Sequence, residues 1–277
     1  MNKIGFFLVT AALLPAQTSP SPVSPALSAR LASFRPATAS LNASPQVTTQ
    51  DQVFARIMAG KGWETNVVLL NTGASPLTFN QLFVASDGTP RQFAVRTSSD
   101  ATPFTAPGVQ ATLNPNSSLS FTLIDAGEPL QEAWSLLSYD ASQGKLGGYA
   151  TIRHRALGGS FSFETTVPLN AMQDFSLHVP FDNTAGFRTH LTLVNPASNL
   201  AAQAVLTYTS PQGQLMLIDA VTLRPGQQMT IVLPDTYPDL ANRTGTISVE
   251  ASLNRFSVLG LRYNEAYGAI AAVPGIN

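Results

Sequence analysis

The phrase GWETNVVLLN at residues 62–71 returns at residues 186–195 as GFRTHLTLVN, and no other feature of this sequence limits its folding as tightly. Gly, Thr, Leu and Asn keep their places, and Trp63 is answered by Phe187. Trp63, Val67 and Leu69 alternate with Glu64 and Asn66; Phe187, Leu191 and Leu193 alternate with Arg188, His190 and Thr192. A period of two predicts a strand with one buried side. Each copy then reaches a turn at its Asn, NTGASP (71–76) and NPASN (195–199), whose Asn, Gly and Pro take backbone shapes that β-branched residues resist.

The correspondence continues in order along the chain. LFVASDGTP (82–90) matches LTYTSPQGQ (206–214), LNPNSSLSFTL (113–123) matches LRPGQQMTIVL (223–233), YATIRHR (149–155) matches VLGLRYN (258–264), and TVPL (166–169) matches AVPG (272–275). The offset falls from 124 residues at Trp63/Phe187 to 109 at Arg153/Arg262, so the first copy carries about fifteen extra residues, many within RTSSDATPFTAPG (96–108) and others in ALGGSFSF (156–163). Each copy offers six or seven short strands separated by turns. The expected fold is all-β: two tandem antiparallel Ig-like β-sandwich domains, residues 51–169 and 170–277, preceded by a disordered linker. The best helical candidate is AGEPLQEAWSLL (126–137), interrupted by Pro129.

Composition agrees with strands and narrows the function classes. Hydrophobic residues make up 44% and charged residues only 11%, against roughly 25% in ordinary domains. With 15 basic and 16 acidic side chains there is no surplus to neutralise a phosphate backbone, so no nucleic-acid partner is expected. The absence of cysteine removes disulfides, thiolate catalysis and Cys-based zinc sites.

MNKIGFFLVTAALLPAQ opens the chain with one charge, Lys3, and an apolar run over residues 4–14 that ends at Pro15. Such a run is too short to cross about 30 Å of hydrocarbon as a helix. It reads as a signal peptide over residues 1–17, with an uncleaved anchor or an organelle transit peptide as alternatives, and implies a secreted or periplasmic protein with no membrane span after cleavage. Residues 18–50 hold five prolines between Pro20 and Pro45 among Ser, Ala and Thr, and read as a flexible tether with at most a helical turn or two at 26–34.

The motifs resemble an uncharacterised tandem β-sandwich module of exported proteins of soil bacteria, acidobacteria especially, built on a GGW-[ST]-T-x-[LV]-x-L-x-N-P strand, a Gly turn, an L-x-P-x-[GQ] turn and a closing Val-Pro. The matching residues are Gly62, Trp63, Thr65, Leu69 and Asn71, then Gly186, Phe187, Thr189, Leu193, Asn195 and Pro196; Phe187 in place of Trp and Thr72 in place of Pro depart from it. The resemblance spans residues 53–277 and implies architecture and export, with no activity attached.

Candidate chemistry is sparse. His190 falls on an outer strand face and reads as solvated, while His154 and His178 align with Tyr263 and Phe54 and read as packing positions. No G-x-S-x-G elbow occurs; Ser160 lies near His154, and Asp140 or Asp125 completes a triad on paper. The acids sit mostly in turns, and no cofactor or metal site is expected, although DFSLHVPFDN (174–183) and DTYPD (235–239) have oxygen ligands to offer between strands. In the RHR cluster, Arg153 and Arg155 share one strand face and His154 takes the other; the arginines read as solvated or cross-strand paired, or else as an anion contact. Trp63 reads as core, whereas Trp134 and Phe104 are the candidate exposed binding aromatics. The functional expectation is a non-enzymatic protein for surface interaction or adhesion, with an unknown protein or glycan as partner, recognised through end loops or exposed sheet edges. A carbohydrate-binding module and a hydrolase are the alternatives.

Overall fold

The alternating segments form antiparallel strands, arranged as four sheets in two stacked pairs. The computed structural model describes residues 35–36, 49–97, 102–155, 161–171, 176–252, 256–264, 266 and 268–276. The expected signal peptide, nearly all of the tether, the helical turns at 26–34, Ser160 and the link at 172–175 lie outside these residues.

In the first half, one sheet runs β1 (Arg35–Pro36), β7 (Gly108–Leu113), β4 (Leu77–Ala85), β9 (Gln131–Asp140), β2 (Thr49–Ala59), β12 (Asn170–Ala171). The facing sheet runs β11 (Phe161–Pro168), β10 (Leu146–Arg155), β3 (Trp63–Asn71), β8 (Ser118–Leu123), β5 (Phe93–Thr97), β6 (Phe104–Ala106). In the second half, β13 (Ser176–Asp182), β18 (Thr244–Ala251), β15 (Ala202–Thr209), β16 (Leu215–Leu223) face β17 (Gln228–Val232), β14 (Arg188–Val194), β19 (Ser257–Asn264), β20 (Ala269–Pro274).

The neighbour orders superimpose. The central β10–β3–β8 of the first half matches β19–β14–β17 of the second, and β2–β9–β4–β7 matches β13–β18–β15–β16. The first half adds the β5–β6 hairpin, formed from the inserted residues, beyond the edge of β8, and β1 beyond the edge of β7. Two details depart from expectation. Residues 131–137 of the helical candidate fall in strand β9, because Ala133 and Trp134 are claimed by packing on opposite faces and Pro129 sits in the preceding loop. The described helix α1 (Leu233–Thr236) and the following 3-10 turn (Pro238–Leu240) arise instead where Pro234 and Pro238 open each turn.

The repeated phrase now has a physical account. Thr65 and Thr189 are both fully buried, and their hydroxyls reach the backbone seven residues earlier: Thr65 Oγ1 donates to Met58 O at 2.7 Å, and Thr189 Oγ1 to Asp182 O at 3.3 Å. Each thus links the two sheets of its own half. Asn71 and Asn195, also fully buried, close the far end: Asn71 Nδ2 donates to Ser75 O and Leu113 O, and Asn195 Nδ2 to Leu200 O, Leu223 O and Arg224 O. The turn entering each phrase is left-handed at Lys61–Gly62 and at Ala185–Gly186, which fixes the glycine.

The two halves are joined along a packed face. Every residue of β2 from Gln52 to Ala59 is buried, so the strand is covered on both sides. Val194, Leu259 and Leu261 of the second half belong to the hydrophobic core of the first. Gln228 donates to Ala55 O at 2.6 Å and to Ala133 O at 3.2 Å, and its own N–H to Ser86 O at 3.0 Å. Gly88 and Gly226, both at positive φ, meet backbone to backbone, and a Cβ on Gly88 would stand 2.9 Å from Pro225 O.

Candidate functional site

Between the joined halves a cleft of about 170 Å³ remains open. Its floor comes from the outer faces of β2 and β9, where Arg56, Met58 and Glu132 lie, with Met58 opposite Glu132 in register. Its opposite wall comes from β14, β19 and β20 as His190, Leu261, Tyr263 and Ile270, and Trp63 and Leu130 close the rim. Beside it runs an aromatic row: His154 stacks on Phe163 at 4.8 Å and 12°, Trp63 tilts against both, and Phe163 and His190 each meet Tyr263 edge-on.

Two polar side chains in this cleft are unusual. The Arg56 side chain is only 8% exposed; its Nη2 donates to Glu132 Oε2 at 2.9 Å, while Nε and Nη1 have no hydrogen-bond partner among the described residues. His190 sits on the outer strand face, but that face is covered by the first half, so the solvated position expected for it is corrected. Burial pushes the imidazole down to about 4, with Arg56 and Arg188 adding to the effect and Asp235 opposing it. A histidine held neutral in the fold and titrating near 6.5 when unfolded stabilises fully above pH 6.5 and loses that contribution as pH falls toward 4. The loss is about 3 kcal/mol by pH 4, at 1.36 kcal/mol per unit. His190→Asn, which installs the residue found at the equivalent Asn66, is expected to flatten the urea-unfolding free energy across this window. Parallel acid loss in the two proteins would refute the assignment.

The other sequence candidates scatter. Trp134 is fully buried and donates from Nε1 to Gly226 O at 3.0 Å across the junction, so its expected exposure is corrected and it offers no platform to a ligand. Arg153 pairs with its cross-strand neighbour Glu164 at 2.6 Å, and Arg155 lies 3.8 Å from Glu64. His154 joins the aromatic row. Phe104 is half-buried on β6, at the other edge of that sheet. Asp125 and Asp140 cap turns, accepting from Gly127 N and Ser142 N. No group of three His, Asp or Glu able to hold a metal ion occurs among the described residues. Arg56 was missed by the sequence reading, yet QVFARIMA carries a signal: one arginine within an otherwise near-continuous apolar run marks a strand buried on both faces.

A second feature lies in the other sheet of the second half. β16 ends its sheet, and no described strand pairs with its outer edge. Leu215 and Ile218 are 62% and 56% exposed, and Val205 of the adjoining β15 is exposed beside them. The single charge of the strand, Asp219, accepts a hydrogen bond from the Tyr237 hydroxyl.

Compared with protein-family profiles, curated proteins and solved structures, the chain matches none.

Proposed function

We propose that this chain is an exported, non-enzymatic binding protein for surface interaction or adhesion, and that β16 is the edge through which it takes a partner strand. The observation that carries this reading is an asymmetry of the duplication. In the first half, β1 lies against β7 and the β5–β6 hairpin lies against β8. The equivalent edges of the second half, β16 and β17, have no strand beyond them among the described residues. An open edge of nine residues with apolar side chains presents unpaired backbone groups and a greasy strip together, the combination that strand addition uses. The carboxylate of Asp219, tied to Tyr237, disfavours indiscriminate pairing. The partner is accordingly an extended protein segment with alternating apolar residues. The scarcity of gathered reactive groups supports a role without turnover.

The test uses labelled protein on intact cells of the producing organism. Ile218→Lys with Ala220→Lys places charge on two exposed edge positions that folding tolerates, and is expected to reduce bound label to background while near-ultraviolet circular dichroism is unchanged. Undiminished binding by the double variant would remove β16 from the reading.

A further inference from the structure

We infer that the cleft between the halves is a binding site for a small, largely apolar monocarboxylate, anchored by Arg56. This goes beyond strand recognition and stands on different residues. The walls supply the apolar body of the site through Met58, Leu130, Leu261 and Ile270, with the rings of Trp63 and Tyr263 flanking them. Clefts of this composition at a domain junction, carrying one or two placed polar groups, are where small molecules bind.

Arg56 supplies the polar group. A guanidinium stays charged at any working pH, so burial cannot be relieved by losing the proton. Its planar fork carries five N–H donors, of which Glu132 engages Nη2 alone, leaving Nε and Nη1 without acceptors among the described residues. A carboxylate that takes the place of Glu132 matches the fork, held by two parallel bonds from Nη2 and one neighbouring nitrogen, Nε or Nη1. Nearby cations do not extend the site to a polyanion, because Arg188 is paired with Asp235. One anchor, one negative charge and an apolar enclosure together define the ligand class.

Glu132 acts as the built-in competitor. Its side chain is 38% exposed at the cleft, so it can turn toward water and release Arg56 to an incoming carboxylate. This gives the inference a signature that mere packing lacks: weakening the competitor must strengthen the ligand.

The experiment titrates the full chain by calorimetry with hexanoate and phenylacetate, and with hexanamide and phenylacetamide as uncharged shape controls. The acids are expected to bind at millimolar concentration or better and the amides at least about tenfold more weakly, the ratio that one charge-assisted hydrogen bond supports. Glu132→Gln is expected to tighten the acids about tenfold and leave the amides unchanged, and Arg56→Met to abolish acid binding. Because Arg56→Met removes a buried charge whose loss can itself disturb the junction, Glu132→Gln decides alone if that variant misfolds. Equal binding of acid and amide, no binding of either, or an unchanged acid affinity in Glu132→Gln overturns the assignment. None of these outcomes bears on β16.

Discussion

Trp134→Ala is expected to lower the stability of the protein by about 4 kcal/mol and to split its unfolding into two transitions. The indole is fully enclosed, and emptying a cavity of that size in a packed interior costs about 3–5 kcal/mol. A further effect separates this site from an ordinary core position. The Nε1 donor reaches Gly226 in the other half, so the substitution also leaves a buried carbonyl unmatched at the junction. Urea titration followed at two wavelengths should give coincident curves for the parent and separated ones for the variant. Trp134→Phe, which keeps most of the volume and loses only the donor, is expected to cost about 1 kcal/mol beyond the small volume change. A variant Trp134→Ala that unfolds in one step with its midpoint hardly moved would show that the halves are not coupled through this side chain.

Asn195→Ala is the second large effect, about 3 kcal/mol, concentrated in the second half. The amide nitrogen serves the carbonyls of Leu200, Leu223 and Arg224, and the amide oxygen receives Ala197 N. Truncation leaves one buried carbonyl, that of Leu223, and three part-buried backbone groups without partners at once, and a buried group left so costs about 1–3 kcal/mol before relaxation and water entry recover part of it. Asn195→Asp distinguishes this account from loss of packing: the shape is kept, but a carboxylate cannot donate to three carbonyls, so the isosteric variant is expected to fall at least as far. Thermal melts of the two variants provide the measurement. If Asn195→Asp remained as stable as the parent, the hydrogen bonds would not be what holds the turn.

Much of this fold is legible in the sequence because a duplicated chain states its constraints twice. Thr65/Thr189 and Asn71/Asn195 recur because the same inter-sheet link and the same turn closure are needed in each half, and the alternation around them reports which face is inside. The sequence is silent about what covers the outer face. His190 and Asn66 occupy equivalent outward positions, but only His190 is roofed by the other half; a period of two carries no information on a neighbour brought in by tertiary contact. Trp134 reads as exposed for a related reason: it lies in a stretch without clean alternation, and that irregularity reflects burial on both sides of β9. Arg56 is the residue for which a readable signal went unused, since a lone arginine inside an apolar strand requires either a buried acid or a ligand. Sequence alone points to exposed sheet edges in general and not to β16, because identifying it requires knowing which edges of the first half are capped.

The contact made by Gln228 alters what the duplication means. Its amide fills carbonyls on two strands of the other half, beside the irregularity in β2 between Phe54 and Ile57. Two copies that began as repeats have therefore become parts of one object, the second finishing the inside of the first. The seam joins unlike faces of the two copies, β2 and β9 of one with β14, β17 and β19 of the other, so halves of one origin are no longer interchangeable.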